Sequence, residues 1–306
     1  MVSVAYNLGI PDGLFSGIVE ELGIREGMVD RRRFPDGESY IRMASECRGD
    51  AVVLFADLSR PDEKIPQLLF ASRIVRDYGA NVVGLVTPYL PYMRQDAAFR
   101  QGEGVTARYF AELLSGYFDW VVTVDPHLHR ISDLAEIFDI PTTVVRASAP
   151  IAEWIAANVP GPLFLVGPDE ESMQWVADVA SRVGAPFVIL EKSRHGDRDV
   201  EVSAPQEVID DQSTPVLIDD IISSGNTMVE TARHFAALGT RPSTCIAVHA
   251  LFDDECVVRL RDAAVDRVVT CNSIAHATNA IDLSGVLAPA IATQLCVGAA
   301  EASAKR

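Results

Sequence analysis

The chain is short of cysteine, of positive charge and of long apolar runs, and each shortage excludes something. Its five cysteines, Cys47, Cys245, Cys256, Cys271 and Cys296, are odd in number and include no CxxC pair. Neither a disulfide framework nor a cysteine zinc site is supported, and a reducing compartment is implied. No run approaches the roughly 18–20 apolar residues of a membrane span, and Met1 to Tyr6 carry no basic region ahead of an apolar stretch. The expectation is therefore a cytoplasmic protein with no membrane partner. Lysine and arginine number 26 against 43 aspartates and glutamates, a net charge of −17. That is the wrong sign for a nucleic-acid partner, because phosphate backbones demand a basic footprint. Low-complexity linkers and residue-level repeats are also missing.

What is present is the composition of a globular protein with ample core, 48% hydrophobic and 23% charged over 306 residues, a length that usually divides into two domains. Continuous β-branched runs predict strands at Ala51 to Ala56, Val82 to Val86, Trp120 to Val124, Leu163 to Val166, Phe187 to Leu190, Val216 to Asp219, Cys245 to His249 and Val268 to Thr270. Helical periodicity fills the spaces, as in Gln67 to Tyr78 and Thr227 to Leu238. Short apolar strands separated by helices make a parallel sheet covered on both faces, the doubly wound α/β arrangement. Two such blocks are expected, residues 1–144 and 145–285. An Ala-rich end at 286–306 follows, with a terminal helix over Leu287 to Ala299.

The most informative stretch runs from Pro215 to Thr227. An apolar strand delivers Asp219 and Asp220, and then Ser223, Ser224, Gly225, Asn226 and Thr227 open a helix. Consecutive backbone N–H groups and three hydroxyls at a helix N-terminus form an anion cradle, favoured by roughly 0.3–1 kcal/mol from the helix dipole before hydrogen bonds are counted. The two acids are acceptors for sugar hydroxyls or for a divalent cation. An anion held by so acidic a chain needs a focused cluster of cations to offset the global field.

This segment resembles the phosphoribosyl-diphosphate loop shared by phosphoribosyltransferases and ribose-phosphate pyrophosphokinases. Nearly the whole chain is similar to the second family. The ordered pieces are Phe34 to Glu38, Pro91 to Asp96, Val124 to His127, Gly167 to Asp169, Glu191 to Arg194, the cradle itself and Thr270 to Ile274. The resemblance implies two similar doubly wound domains of the phosphoribosyltransferase type, with the terminal helix packed back on the first. It also implies that ATP gives its β,γ-diphosphate to the 1-hydroxyl of ribose 5-phosphate, with AMP leaving. Lys192 and Arg194 are then catalytic, ahead of a flap at His195 to Asp199. Phe34, Asp36, Gly37, Glu38, Arg94, Gln95 and Asp96 bind ATP, and His127 and Asp169 hold Mg2+. Asp219, Asp220 and Ser223 through Thr227 bind the ribose phosphate. In that family the Phe34–Glu38 hairpin reaches a neighbouring subunit's site, which implies a homo-oligomer, a dimer at least. His129 has no counterpart and is read as surface.

Several positions depart from the family pattern. Ala97-Ala98-Phe99 stands where further basic residues are usual, Pro126 replaces a leucine, Glu170-Glu171 follow Asp169, and Asn226 brings a side chain where glycine is common. Two alternatives therefore remain at this point: an enzyme that consumes phosphoribosyl diphosphate, and a catalytically weak regulatory paralogue.

Overall fold

The structure, a computed structural model, describes residues 3–169, 172–190 and 212–304. It divides into two compact units, residues 1–146 together with 283–306, and residues 147–282.

In the first unit the elements run β1 (Ser3–Leu8), α1 (Asp12–Leu22), β2 (Arg25–Glu26), β3 (Val29–Arg33), β4 (Ser39–Met43), β5 (Ala51–Ala56), α2 (Ile65–Asp77), β6 (Val82–Val86), α3 (Thr106–Ser115), β7 (Trp120–Val124) and β8 (Thr142–Val145). Six strands form one sheet in the order β2-β1-β5-β6-β7-β8, every pair parallel. A parallel sheet between helices is apolar on both faces, and every residue of β5, β6 and β7 is buried. Strands β3 and β4 stand apart as an antiparallel hairpin.

The second unit repeats the plan with α4 (Ser148–Asn158), β9 (Leu163–Gly167), α5 (Met173–Val183), β10 (Phe187–Ile189), β11 (Thr214–Ile222), α6 (Asn226–Ala237), β12 (Ser243–Ala250), α7 (Asp254–Asp262), β13 (Val265–Cys271) and β14 (Asn279–Ile281). The sheet order is β10-β9-β11-β12-β13-β14, again all parallel. From β9 the chain moves outward to β10, then returns to the other side of β9 as β11. Ligands of doubly wound sheets bind beyond the carboxyl ends of the strands at such a reversal; Asp169 lies just past the end of β9, and Asp219 and Asp220 lie in the carboxyl-terminal half of β11. The doubly wound fold read from the sequence is therefore the observed one.

The chain closes with α8 (Ser284–Ala304), which returns to the first unit. Its Leu287, Ala288 and Ile291 are fully buried, and Gln294 Nε2 donates to Thr143 Oγ1 at 2.8 Å. Strand β11 is longer than its apolar run, because β12 continues alongside it and pairs Ile221 with His249 and Ile222 with Ala250. Asp219 and Asp220 thus sit within the strand and inherit its rigidity.

Candidate active site

In the second unit the site starts from two neighbouring strand ends. Beyond β9, the Asp169 carbonyl accepts from Ser172 Oγ at 2.7 Å, which fixes the turn into α5. On β11, Asp219 Oδ1 accepts from the Asp220 N–H at 3.0 Å, and Asp220 Oδ1 accepts from the Ile221 N–H at 2.7 Å. Burial raises the Asp219 carboxyl well above the usual carboxylate range, and the nearby charges of Asp220 and Asp169 raise it further. A carboxyl raised by two neighbouring carboxylates near the carboxyl ends of β9 and β11 favours a partner that brings positive charge or donor hydroxyls. Hard oxygen donors of this kind fit Mg2+, although among the described residues no group of three His, Cys, Asp or Glu side chains encloses a cation by itself.

Next comes the cradle. Gly225 caps α6 with φ +72°, the left-handed conformation that glycine adopts without a Cβ penalty. A Cβ there would also lie 2.2 Å from Cys256 Sγ, so the position is closed on steric grounds as well. Ser223, Ser224 and Asn226 are exposed and Thr227 is half-buried. Sequence reasoning missed Arg259 on α7. Its Nη1 donates to Asn226 Oδ1 at 2.8 Å and its Nη2 to the Ser224 carbonyl at 2.5 Å. The extra side chain of Asn226 is thereby tied to α7, and a guanidinium stands beside the anion cradle. The sequence signal was faint: a cation 33 positions downstream, on a helix whose N-cap, Asp253, accepts from the Cys256 N–H at 3.0 Å.

In the first unit a second cluster forms beyond β7. The segment after the strand is pinned at both ends. Buried Asp125, with φ +33°, accepts from Arg146 Nη1 at 3.2 Å. Asp96, its side chain 1% exposed, accepts from the Arg130 backbone N–H at 2.9 Å and from Arg130 Nη1 at 3.0 Å. Burial pushes the Asp96 carboxyl up, but the two Arg130 hydrogen bonds and the guanidinium charge outweigh it and hold the group below its ordinary value. Asp96, expected to meet ATP, is turned inward to this clamp. Gln95 accepts from Thr106 Oγ1 at 3.3 Å through its side chain and from the Ala107 N–H at 3.3 Å through its carbonyl, while Arg94 is exposed. Between the pinned ends His127 and His129 face each other Nε2 to Nε2, with ring centroids 4.0 Å apart and planes at 81°. His129, read from sequence as surface, is half-buried against His127.

The hairpin tip is a tight turn. Gly37, with φ +95°, donates to the Phe34 carbonyl at 2.9 Å, Phe34 N–H donates to the Glu38 carbonyl at 2.8 Å, and Asp36 Oδ1 accepts from the Glu38 N–H at 3.1 Å. Phe34 is 37% exposed, with the Arg32 guanidinium 4.5 Å from its ring centroid. Lys192, Arg194, the polar stretch after them and Glu170-Glu171 lie outside the described residues.

An all-parallel sheet with a strand–cradle–helix at its reversal point defines a phosphoribosyltransferase-type protein. Accordingly, a family model described as the phosphoribosyl transferase domain matches residues 133–284, and one described as the N-terminal domain of ribose phosphate pyrophosphokinase matches residues 10–117. A ribose-phosphate pyrophosphokinase from Methanopyrus kandleri is 31% identical over 292 residues, covering 95% of this chain and 98% of the relative. Another from Saccharolobus solfataricus is 31% identical over 268 residues, covering 86% and 90%. A crystal structure of phosphoribosylpyrophosphate synthetase from Mycobacterium smegmatis superposes with a TM-score of 0.81 at 21% identity, covering 95% and 98%, which speaks to the fold. The chain belongs to the ribose-phosphate pyrophosphokinase family.

Proposed function

We propose that the chain is a ribose-phosphate diphosphokinase: the 1-hydroxyl of ribose 5-phosphate attacks the β-phosphorus of ATP, AMP departs, and phosphoribosyl diphosphate is formed. The observation that carries this reading is the placement of Asp219, Asp220 and the Ser223–Thr227 cradle on the continuous β11–α6 segment, with Asp169 beside them. The cradle's N–H groups and hydroxyls hold the 5-phosphate, and Asp219 and Asp220 accept from ribose hydroxyls, which aims the remaining hydroxyl at the nucleotide. Arg259 keeps the cradle in shape and offsets part of the surrounding negative field.

Family resemblance supplies the other half. Arg94 and Gln95 meet the ATP phosphates, and Asp96 serves them through its clamp on Arg130. Phe34, Asp36, Gly37 and Glu38 receive adenine from a neighbouring copy, so a homo-oligomer of at least two chains is the working form. Lys192 and Arg194 neutralise charge on the transferring diphosphate. His127 and Asp169 hold Mg2+, which when bound supplies further neutralisation of the phosphate oxygens. Residues 1–144, with the terminal helix at 286–306, form the nucleotide domain, and 145–285 the sugar-phosphate domain, working in the cytoplasm. The alternatives lose ground because an enzyme that only consumes phosphoribosyl diphosphate has no use for the adenine and Lys192 elements. Purified protein given ATP, ribose 5-phosphate and Mg2+ is expected to release AMP only when the sugar phosphate is present. No AMP at any phosphate concentration would favour a regulatory paralogue.

A further inference from the structure

We infer that the first unit carries a binding site for a phosphate group, free or as the end of a small monoester, in a cleft beyond the carboxyl ends of β1 and β5, held by Arg31, Arg33 and Lys64. The cation and ATP-phosphate residues of the proposed reaction follow β6 and β7 instead, and no step of that reaction uses this cleft.

Topology puts a ligand cleft there. In the two sheet orders, β1 and β5 hold the places that β9 and β11 hold in the second unit. From β1 the chain moves outward to β2 and returns on the other side of β1 as β5, so the first unit has its own reversal point, the position at which doubly wound sheets take ligands. A cavity of about 190 Å³ opens at it, lined by Gly9 after β1, Asp57 after β5, Arg31 and Arg33 of β3, and Lys64 and Gln67 at the head of α2. That volume is below the roughly 300–1,000 Å³ of drug-sized pockets, so it admits a phosphate group with a small alcohol attached and excludes a whole nucleotide.

The charges lining the cleft favour an anion. Asp57 commits its carboxylate to the loop: Oδ1 accepts from the Ser59 N–H at 2.8 Å, and Oδ2 accepts from Ser59 Oγ at 3.0 Å and from Lys64 Nζ at 2.5 Å. Lys64 also donates to Ser59 Oγ at 3.0 Å, which leaves one of an ammonium's three donors for a ligand. Arg33 meets Glu63 at 3.4 Å in an exposed pair that constrains it little. Arg31 is the surplus cation. Its Nη1 lies 3.6 Å from where a Gly9 Cβ would stand, and among the described residues it makes no hydrogen bond and no ion pair. Although Arg31 keeps part of its surface in water, desolvation pushes its pKa below the ordinary value and the charge of Asp57 restores only part of that. A phosphate supplies the missing acceptors, since its oxygens match the guanidinium fork bidentately. The positive end of the α2 dipole adds to the attraction. An anion held here also ties β3, which runs directly into Phe34, to the head of α2.

The chain has only three lysines, Lys64, Lys192 and Lys305, so amine acylation read by peptide mass spectrometry reports Lys64 by itself. Tag-free full-length protein is labelled in inorganic phosphate and in sodium chloride of equal ionic strength, without ATP or divalent cation. With phosphate at about tenfold its dissociation constant, the Lys64 rate should fall roughly tenfold, following the fraction of sites left empty. In Arg31→Gln the half-protecting phosphate concentration should rise by about tenfold or more, with Lys64 labelling in chloride and the circular dichroism spectrum unchanged. Arg31→Lys keeps the charge without the fork, should shift the half-point less, and stands in if Arg31→Gln does not fold. Ribose 5-phosphate in place of phosphate identifies the source: half-protection at a lower concentration than free phosphate names a monoester, and at a higher one names the free ion. Equal Lys64 labelling in phosphate and chloride, or a half-point that neither Arg31 variant moves, overturns the proposal. Because no ATP is present, the outcome is independent of the reaction assay. Protection in a protein that forms no AMP keeps this site and ends the catalytic reading, and AMP formation with Lys64 unprotected does the reverse.

Discussion

Arg259 and Asn226 are joined by a 2.8 Å hydrogen bond that ties α7 to the first residue of α6, and the same guanidinium holds the Ser224 carbonyl. The bond anchors on α7 the side chain that Asn226 brings to the cradle. Hydrogen bonds to a charged donor are worth about 1.5–3 kcal/mol, so Arg259→Ala is expected to raise the Michaelis constant for ribose 5-phosphate by about tenfold or more. In an Asn226→Gly background the same change should matter less, since one of its two acceptors is gone. Steady-state kinetics of the four proteins checks this; equal effects in both backgrounds would separate Arg259 from the cradle.

Gly225 is closed to other residues by its backbone and by Cys256. Gly225→Ala should lower the melting temperature by on the order of 5 °C and weaken ribose 5-phosphate binding, since left-handed backbone alone costs roughly 1–2 kcal/mol. Adding Cys256→Ala should recover the steric part and leave the backbone part. Scanning calorimetry of single and double variants distinguishes the two.

Asp219 gives a pH signature. Its carboxyl keeps a proton to higher pH in the fold than in the unfolded chain, so the folded state binds the extra proton and stability falls as pH rises from the ordinary carboxylate range through the raised value. Asp219→Asn removes that penalty while keeping an acceptor for the Asp220 N–H. Measured in chelator without ligand, the variant should melt above wild type at pH 8, with the gap closing toward pH 4. A gap that does not change with pH would contradict the assignment.

Asp96 behaves in the opposite sense. Held low by Arg130, it contributes stability above the ordinary carboxylate range, and the contribution is lost as pH falls through its depressed value. Asp96→Ala is expected to cost on the order of 1 kcal/mol, the net worth of hydrogen bonds whose remaining partner, Arg130, is exposed and can turn to water, and to weaken ATP binding as the loop carrying His127 loosens. Urea unfolding at pH 7 and pH 3 should show the cost shrinking in acid, and ATP calorimetry reports the second effect.

The proposed role of Lys192 predicts a different kinetic pattern. Lys192→Ala should lower turnover by on the order of 10³-fold with little change in ATP affinity, as for a group acting in the transition state. A loss under tenfold would remove it from that role.

The central strands were legible because burial on both faces makes them continuous apolar runs. Ala51 to Ala56, Val82 to Val86 and Trp120 to Val124 are strands with the ends the sequence marks. The cradle was legible too, since anion binding at a helix N-terminus demands small and hydroxyl residues in one short run. Strands β3 and β4 were not, because Asp30 through Arg33 offer no apolar alternation and only the Asp36-Gly37 turn betrays the hairpin. Partners brought together by the fold were invisible for a related reason. Asp96 meets Arg130 across 34 positions, and Arg259 meets Asn226 across 33. His129 carried a usable sign, a second histidine two positions after the first beyond a strand, but spacing alone does not reveal that the rings turn toward each other.

The central claim is tested most directly by phosphorus-31 NMR of the protein with ATP, ribose 5-phosphate and a divalent cation. The account predicts that AMP and a diphosphate bonded to ribose C1 grow together in equal amounts as ATP declines. Growth of ADP with a single phosphate on C1, or ATP left unchanged by a folded protein under every cation tried, would contradict it.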